Sequence, residues 1–208
     1  MPTSPLKIGV LVSGRGSNLQ AILDAIATKK INATLAVVIS NNPESAALDR
    51  ARKASVPTEI LVSQKNEKRE AYDKKLVDTL KKYGVELVVL AGFMRILSST
   101  FLTPFKNKVI NIHPSLLPKF PGLHAQKQAL EAGVTTSGCT VHFVDEGCDT
   151  GPIILQTQVS IEPGDTVETL EARILKEEHK LLPKVIDLIT KNKVKISGRT
   201  ITIEENTP

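Results

Sequence analysis

The chain has 208 residues, 41% of them apolar and 24% charged, with a formal net charge of +5. These proportions are those of an ordinary globular protein and speak against a disordered chain. Aromatic residues make up only 3%, and the cations are dispersed rather than blocked, so composition favours a plain solvated basic surface first, mild attraction of small anions second and nucleic-acid binding last.

Cys139 and Cys148 give no disulfide framework and imply a reducing compartment. With His142 they make half a zinc-ligand pattern without a second half, so no metal is expected. Residues 1–7 have no signal-peptide pattern, and the longest apolar stretch, Leu87 to Met94, is too short to cross a bilayer. The expectation is a cytoplasmic protein with no membrane contact.

In chain order, Ile8 to Val12 reads as a buried strand closed by Ser13-Gly14. Asn18 to Thr28 follows as a helix with Leu19, Ile22, Leu23 and Ile26 on one face. Leu35 to Ile39 is a second strand, Ser45 to Ala54 a short helix, and Thr58 to Val62 a third strand. Lys68 to Tyr83 is a helix stopped by Gly84. Leu87 to Leu90 and Val109 to Ile112 are wholly apolar strands, with a short helix near Ser98 to Phe105 between them. Gly138 to Val144 alternates in polarity, and Ile153 to Ile161 follows with no room for a helix, so those two strands pair antiparallel. Thr166 to Ile189 is a long helix kinked near Pro183. Val194 to Ile203 is a hairpin turning at Ser197-Gly198-Arg199. Apolar strands alternating with helices predict an α/β fold. Its sheet is mostly parallel and twisted, with helices on both faces, a Rossmann-like N-terminal half and antiparallel strands toward the C-terminus.

Three segments carry chemistry. Ser13-Gly14-Arg15-Gly16-Ser17-Asn18 joins the first strand to the first helix. There a glycine turn and a helix N-terminus suit an anion, and Ser17 and Asn18 can cap the helix or donate to phosphate. Leu19 breaks the dinucleotide fingerprint, and Ser40-Asn41-Asn42 lacks the ribose-binding acid, so a phosphate monoester fits better than NAD. Asn111-Ile112-His113-Pro114 ends a buried strand, and residues two apart share a side. Asn111 can donate to an oxyanion and His113 can move protons. The plainer alternative is a polar pair satisfied by loop carbonyls. The acidic loop Asp145-Glu146-Gly147-Cys148-Asp149-Thr150-Gly151-Pro152 offers a carboxylate to raise the pKa of a histidine, and Asp145, Glu146 and Asp149 all qualify. Glu178 shares a helical stripe with Leu175, Leu182, Val185 and Ile189 and needs a partner, either a ligand or a buried cation. His142 lines the site or is a satisfied core residue, while His124 and His179 read as surface residues.

The glycine loop, Leu90-Ala91-Gly92-Phe93-Met94-Arg95-Ile96-Leu97, Asn111 through Pro118, and Val141-His142-Phe143 through Pro152 occur in this order. Together they resemble the folate-dependent phosphoribosylglycinamide formyltransferase family from residue 8 to about 185. The resemblance implies transfer of the formyl group of 10-formyltetrahydrofolate, a co-substrate, to the amine of 5'-phosphoribosylglycinamide in purine biosynthesis. It implies that Gly16, Ser17 and Asn18 hold the acceptor's phosphate, while Leu175, Lys176, Glu177 and Glu178 meet its sugar and glycinamide end. Arg69, Met94, Arg95, Ile96 and Leu97 would bind the folate, together with Asn111, Asp145, Glu146, Gly147, Cys148 and Asp149. Asn111 and His113 would flank the formyl carbon, with Asp149 as the carboxylate partner of His113. A single domain over residues 1–208 is expected: a phosphate-binding half (about 6–110), a folate and catalytic half with the long helix (about 111–191) and a tail (192–208). The partners are small-molecule substrates, acting on a monomer or homodimer. The weighed alternatives are a formyltetrahydrofolate deformylase and a non-catalytic nucleotide-binding module.

Overall fold

The computed structural model describes residues 4–204. It divides into two compact units on either side of the Ile110–Asn111 bond. The strands of the main sheet are ordered β3-β2-β1-β4-β5-β6-β7, and a separate two-stranded sheet holds β8 and β9.

In the first unit, β1 (Leu6–Val12) pairs in parallel with β2 (Ala33–Ser40) on one side and β4 (Leu87–Leu90) on the other. β2 pairs in parallel with the short β3 (Thr58–Ile60), which ends two residues before the expected Val62. Ile8, Val10, Leu11, Val12, Val88 and Val89 are fully buried. Burial of consecutive residues means that both faces of these strands are covered, as the unbroken apolar runs predict.

α1 (Ser17–Ala27) buries Leu19 and Ile22, and α2 (Ala46–Lys53) buries Ala47, Leu48 and Ala51. α3 (Arg69–Lys82) stops at Gly84 as expected, and the stop is a Schellman motif. Gly84 N–H donates to the Lys81 carbonyl (2.9 Å) and Val85 N–H to the Leu80 carbonyl (3.1 Å), with Gly84 at φ 65°. α4 (Ser99–Leu102) is a single turn.

β5 (Val109–His113) begins in the first unit and carries Asn111 and His113, at its end, in the second. α5 (Ala125–Glu131) has no counterpart in the sequence reading, because its buried face consists of two alanines, Ala125 and Ala129, and shows no large apolar stripe. β6 (Thr136–Phe143) and β7 (Ile153–Ser160) pair antiparallel as expected. β6 is buried from Ser137 to Phe143 on both faces, so the alternation read there does not translate into an exposed face.

α6 (Val167–Thr190) is one continuous helix that runs through Pro183. A capping box between Thr166 and Thr169 opens it, a device worth about 1 kcal/mol. Its buried side is Leu170, Ile174, Glu178, Leu181, Leu182, Val185 and Ile186. Glu178, Leu182 and Val185 of the expected stripe are among them, while Leu175 and Ile189 are only half-buried. β8 (Val194–Ser197) and β9 (Thr200–Ile203) form the expected hairpin. No helix among the described residues is long and apolar enough to cross a membrane.

Candidate active site

The glycine loop of the first unit turns its carbonyls into the protein. The Gly14 carbonyl accepts from Ala47 N–H (3.1 Å) and Ser45 Oγ (2.8 Å), the Arg15 carbonyl from Arg50 Nε (3.0 Å), and the Gly16 carbonyl from Gln20 N–H (3.0 Å). Gly16 is the N-cap of α1, at φ 71° and ψ 28°. The helix therefore begins at Ser17, and Ser17 and Asn18 lie in its first turn rather than capping it. The first amides of a helix have no intrahelical acceptor, and the macrodipole adds positive potential there.

Ser13 ties three strand ends together. Its Oγ donates to Asn41 Oδ1 (2.7 Å) and accepts from Met94 N–H (2.9 Å), while its own N–H donates to the Gly92 carbonyl (3.1 Å). Asn41 thus has a structural task where a dinucleotide-binding protein would carry an acid.

The segment after β4 is held at both ends. Ser98 donates through N–H and Oγ, each at 2.6 Å, to Oδ2 of the buried Asp73. Arg95 stacks 4.1 Å from the centroid of the Tyr72 ring, and its buried Nε has no hydrogen-bond partner among the described residues. Met94 and Ile96 are exposed, and Leu97 is buried. Met94 N–H is already taken by Ser13, so that amide is not the backbone group left for a ligand. Arg69 is exposed at the start of α3, its Nε 3.9 Å from Glu70.

In the second unit Asn111, His113 and Asp149 come together as expected. His113 Nδ1 lies 3.3 Å from Asp149 Oδ2, and Asn111 Nδ2 donates to Asp149 Oδ1 at 3.3 Å. Gly122 N–H donates to Asp149 Oδ2 at 2.8 Å. His113 Nε2 donates to the Phe120 carbonyl at 2.9 Å, so the loop carbonyl of the plainer reading is present beside the carboxylate. That carbonyl is set by a pinned loop. Ser115 Oγ donates to the Lys119 carbonyl (2.6 Å), Thr140 Oγ1 donates to the Ser115 carbonyl (2.6 Å), and Leu117 N–H donates to Thr140 Oγ1 (3.1 Å).

His142 joins the cluster, which the sequence left undecided. Its Nδ1 donates to the Phe143 carbonyl (2.8 Å), and its Nε2 faces both Asn111 Nδ2 at 3.2 Å and Asp149 Oδ1 at 3.5 Å, accepting from the amide when unprotonated and donating to the carboxylate when protonated. The alternation of β6 put His142 opposite Val141, but no spacing rule connects residue 142 to residue 111.

Burial opposes charge on His113 and lowers its pKa below the usual 6.5, with nearby His142 adding to the effect; the Phe120 carbonyl and Asp149 pull upward without overcoming it. The expected rise from the carboxylate is therefore present but outweighed by desolvation. Burial acts to raise the pKa of Asp149, but hydrogen bonds from His142 and Gly122 and the charge of His113 outweigh it and bring the pKa down to about 2. A folded-state pKa below the unfolded 3.8 adds stability that is present above that value and lost as pH falls toward about 2. Acid unfolding of Asp149→Asn is accordingly expected to converge on wild type in this window, which stability measured from pH 5 to 2 checks.

The remaining expected residues are dispersed. Asp145 accepts from Gly147 N–H (3.2 Å) and Thr150 Oγ1 (2.6 Å), and Glu146, Gly147 and Cys148 are exposed. On α6, Lys176 is exposed and Glu177 pairs with Lys180 at 2.7 Å, whereas Glu178 is only 6% exposed. Cys139 is buried within β6. Desolvation chiefly, with Glu178 and Glu177 nearby, pushes its thiol up to about 12. Cys148 is exposed on its loop.

A profile described as formyl transferase matches residues 6–186. The chain belongs to the formyl transferase family. Among this family's members, it is 46% identical over 191 residues to the phosphoribosylglycinamide formyltransferase of Escherichia coli (strain K12), covering 92% of this chain and 90% of that protein. It is 52% identical over 185 residues, 88% of its length, to the trifunctional purine biosynthetic protein adenosine-3 of Drosophila pseudoobscura pseudoobscura, but spans only 14% of that longer protein. The crystal structure of glycinamide ribonucleotide transformylase 1 from Symbiobacterium toebii superposes with a TM-score of 0.95 at 50% identity, covering 97% of this chain and 95% of that one. The formyl transferase fold of this chain is thus shared over nearly its whole length.

Proposed function

We propose that this formyl transferase moves the formyl group of 10-formyltetrahydrofolate to the amine of 5'-phosphoribosylglycinamide, a step of purine biosynthesis. The observation that carries the reading is the convergence of Asn111, His113 and Asp149 at the end of β5. High identity to a phosphoribosylglycinamide formyltransferase along nearly its whole length supports it.

In the mechanism the acceptor amine attacks the formyl carbon to give a tetrahedral intermediate. Asn111 gives up the Nδ2 contact it makes at rest with Asp149 Oδ1 and donates that hydrogen to the developing oxyanion, an interaction worth about 2.7–4 kcal/mol for one well-placed donor. His113 starts neutral, its Nε2 proton on the Phe120 carbonyl, and takes at Nδ1 the proton shed by the attacking amine, where ionised Asp149 stabilises the imidazolium. Release of that proton to the folate nitrogen lets the folate leave. His113 was expected to donate to the oxyanion directly. Because Phe120 and Asp149 engage both of its nitrogens, proton holding is the better-supported role. His142 fixes the Asn111 amide with Nδ2 toward Asp149.

In this proposal the first half anchors phosphate at Gly16, Ser17 and Asn18. Leu175 to Glu178 meet the rest of the acceptor. Arg69, Met94 to Leu97 and Asp145 to Asp149 receive the folate. The unpartnered Nε of Arg95 is a donor that a folate carbonyl or carboxylate would complete. The substrates are small molecules, the enzyme works as a monomer or homodimer in the cytoplasm, and the chemistry is carried by side chains alone.

The decisive assay follows deformylated folate with and without 5'-phosphoribosylglycinamide. Release that depends on the amine is expected. Equal release without the amine would make the protein a hydrolase and end this reading.

A further inference from the structure

Arg199 lies between β8 and β9, outside the 6–186 stretch matched by the family profile. It reaches back to the acidic loop. Nη1 donates to Asp145 Oδ2 at 3.0 Å, and Nη2 donates to the Thr150 carbonyl. The other oxygen of Asp145 accepts from Gly147 N–H (3.2 Å) and Thr150 Oγ1 (2.6 Å). One guanidinium and one carboxylate thus bind both ends of the loop.

Inside that loop Asp149 sits at φ 55°. A non-glycine residue keeps this conformation only where its surroundings over-determine it. The loop has little slack: a Cβ at Gly147 would meet the Thr150 side chain, and one at Gly151 the Phe143 carbonyl. The hairpin has a fixed base, because Asn192 turns the chain at φ 56° and Lys193 N–H donates to the Leu188 carbonyl of α6 at 2.9 Å.

We propose that Arg199 is a positioning residue, and that the C-terminal hairpin straps the 145–150 loop so that Asp149 faces His113. This rests on the catalytic reading of Asp149. The Arg199–Asp145 pair is exposed and screened, so little binding energy resides in the charges themselves. The effect lies in denying the loop alternative conformations. A lysine would keep the charge pair but lose the second limb of the fork.

The test compares the wild-type full chain with R199A, R199K, D145A and R199A/D145A, with D149N as control. Amide exchange of residues 145–151 is read beside steady-state kinetics. Expected for R199A are faster exchange at Gly147 and Thr150 and a kcat/KM for 10-formyltetrahydrofolate lower by about fivefold. An unchanged KM for the amine acceptor and an unchanged Tm are expected with them. R199K falls between, and the double variant loses less than the sum of the two single variants, because the two residues act as a unit. Wild-type exchange in R199A overturns the strap. Faster exchange with unaltered kcat/KM overturns its link to the chemistry. Wild-type turnover in D149N overturns the underlying reading of Asp149 instead, whatever the exchange shows.

Discussion

Asp149→Asn and His113→Ala are each expected to lower kcat by about a thousandfold, the middle of the range for losing positioned acid–base help and roughly 4 kcal/mol of barrier. Asparagine tolerates the left-handed backbone that Asp149 adopts at φ 55°. It also keeps an oxygen for Gly122 N–H. With that oxygen on Gly122, the substitution removes the charge facing His113 Nδ1 and the acceptor that Asn111 Nδ2 uses on the other oxygen. Binding of the phosphorylated acceptor is expected to persist in both variants, so a titration separates lost chemistry from lost folding.

The pH profile sharpens this first expectation. His113 must start neutral to take a proton, and burial holds its pKa below 6.5. The acid limb of kcat/KM is therefore expected below 6.5. Removing the charge of Asp149, which pulls that pKa upward, shifts the limb lower still in Asp149→Asn. A limb that stays in place, or turnover within tenfold of wild type in either variant, would detach the pair from the reaction.

Gly16→Ala has the second large effect. Gly16 adopts φ 71°, and an added Cβ would run into the Cβ of Ala47 and lie 2.7 Å from its Cα. Left-handed backbone costs a non-glycine residue about 1–2 kcal/mol, and overpacking costs about 1–3 kcal/mol more. Because Ala47 N–H and Ser45 Oγ both bind the Gly14 carbonyl, α2 cannot retreat without unmaking the loop. The expected outcome is a stability loss of about 2–5 kcal/mol in urea titrations. A rise of at least tenfold in KM for the acceptor should accompany it, with the KM for the formyl donor far less affected. Equal rises in both constants would contradict a phosphate-holding role for this turn.

The sequence made legible whatever follows from local periodicity and turn chemistry. The unbroken apolar runs of β1 and β4, the glycine stop of α3, the antiparallel β6–β7 pair and the C-terminal hairpin all appear where they were expected. So does the meeting of Asn111, His113 and Asp149, which the family resemblance selected and spacing alone left open among three acids. What was hidden depends on contacts distant in sequence. α5 escaped because alanines, not large apolar residues, form its buried face. His142 reaches Asn111 across 31 positions, and Arg199 reaches Asp145 across 54, neither marked by a local pattern. The net pKa direction of His113 was also beyond reach, since desolvation is a property of the finished packing.

The hydroxyl of Ser13 has a wider reach than its size suggests. It accepts from Met94 N–H and donates to Asn41, so a lineage that loses it frees the turn before α1 and the segment after β4 at one stroke. Positions 13 and 41 should accordingly drift as a pair, and a swap of either loop between relatives will graft cleanly only when its partner travels with it.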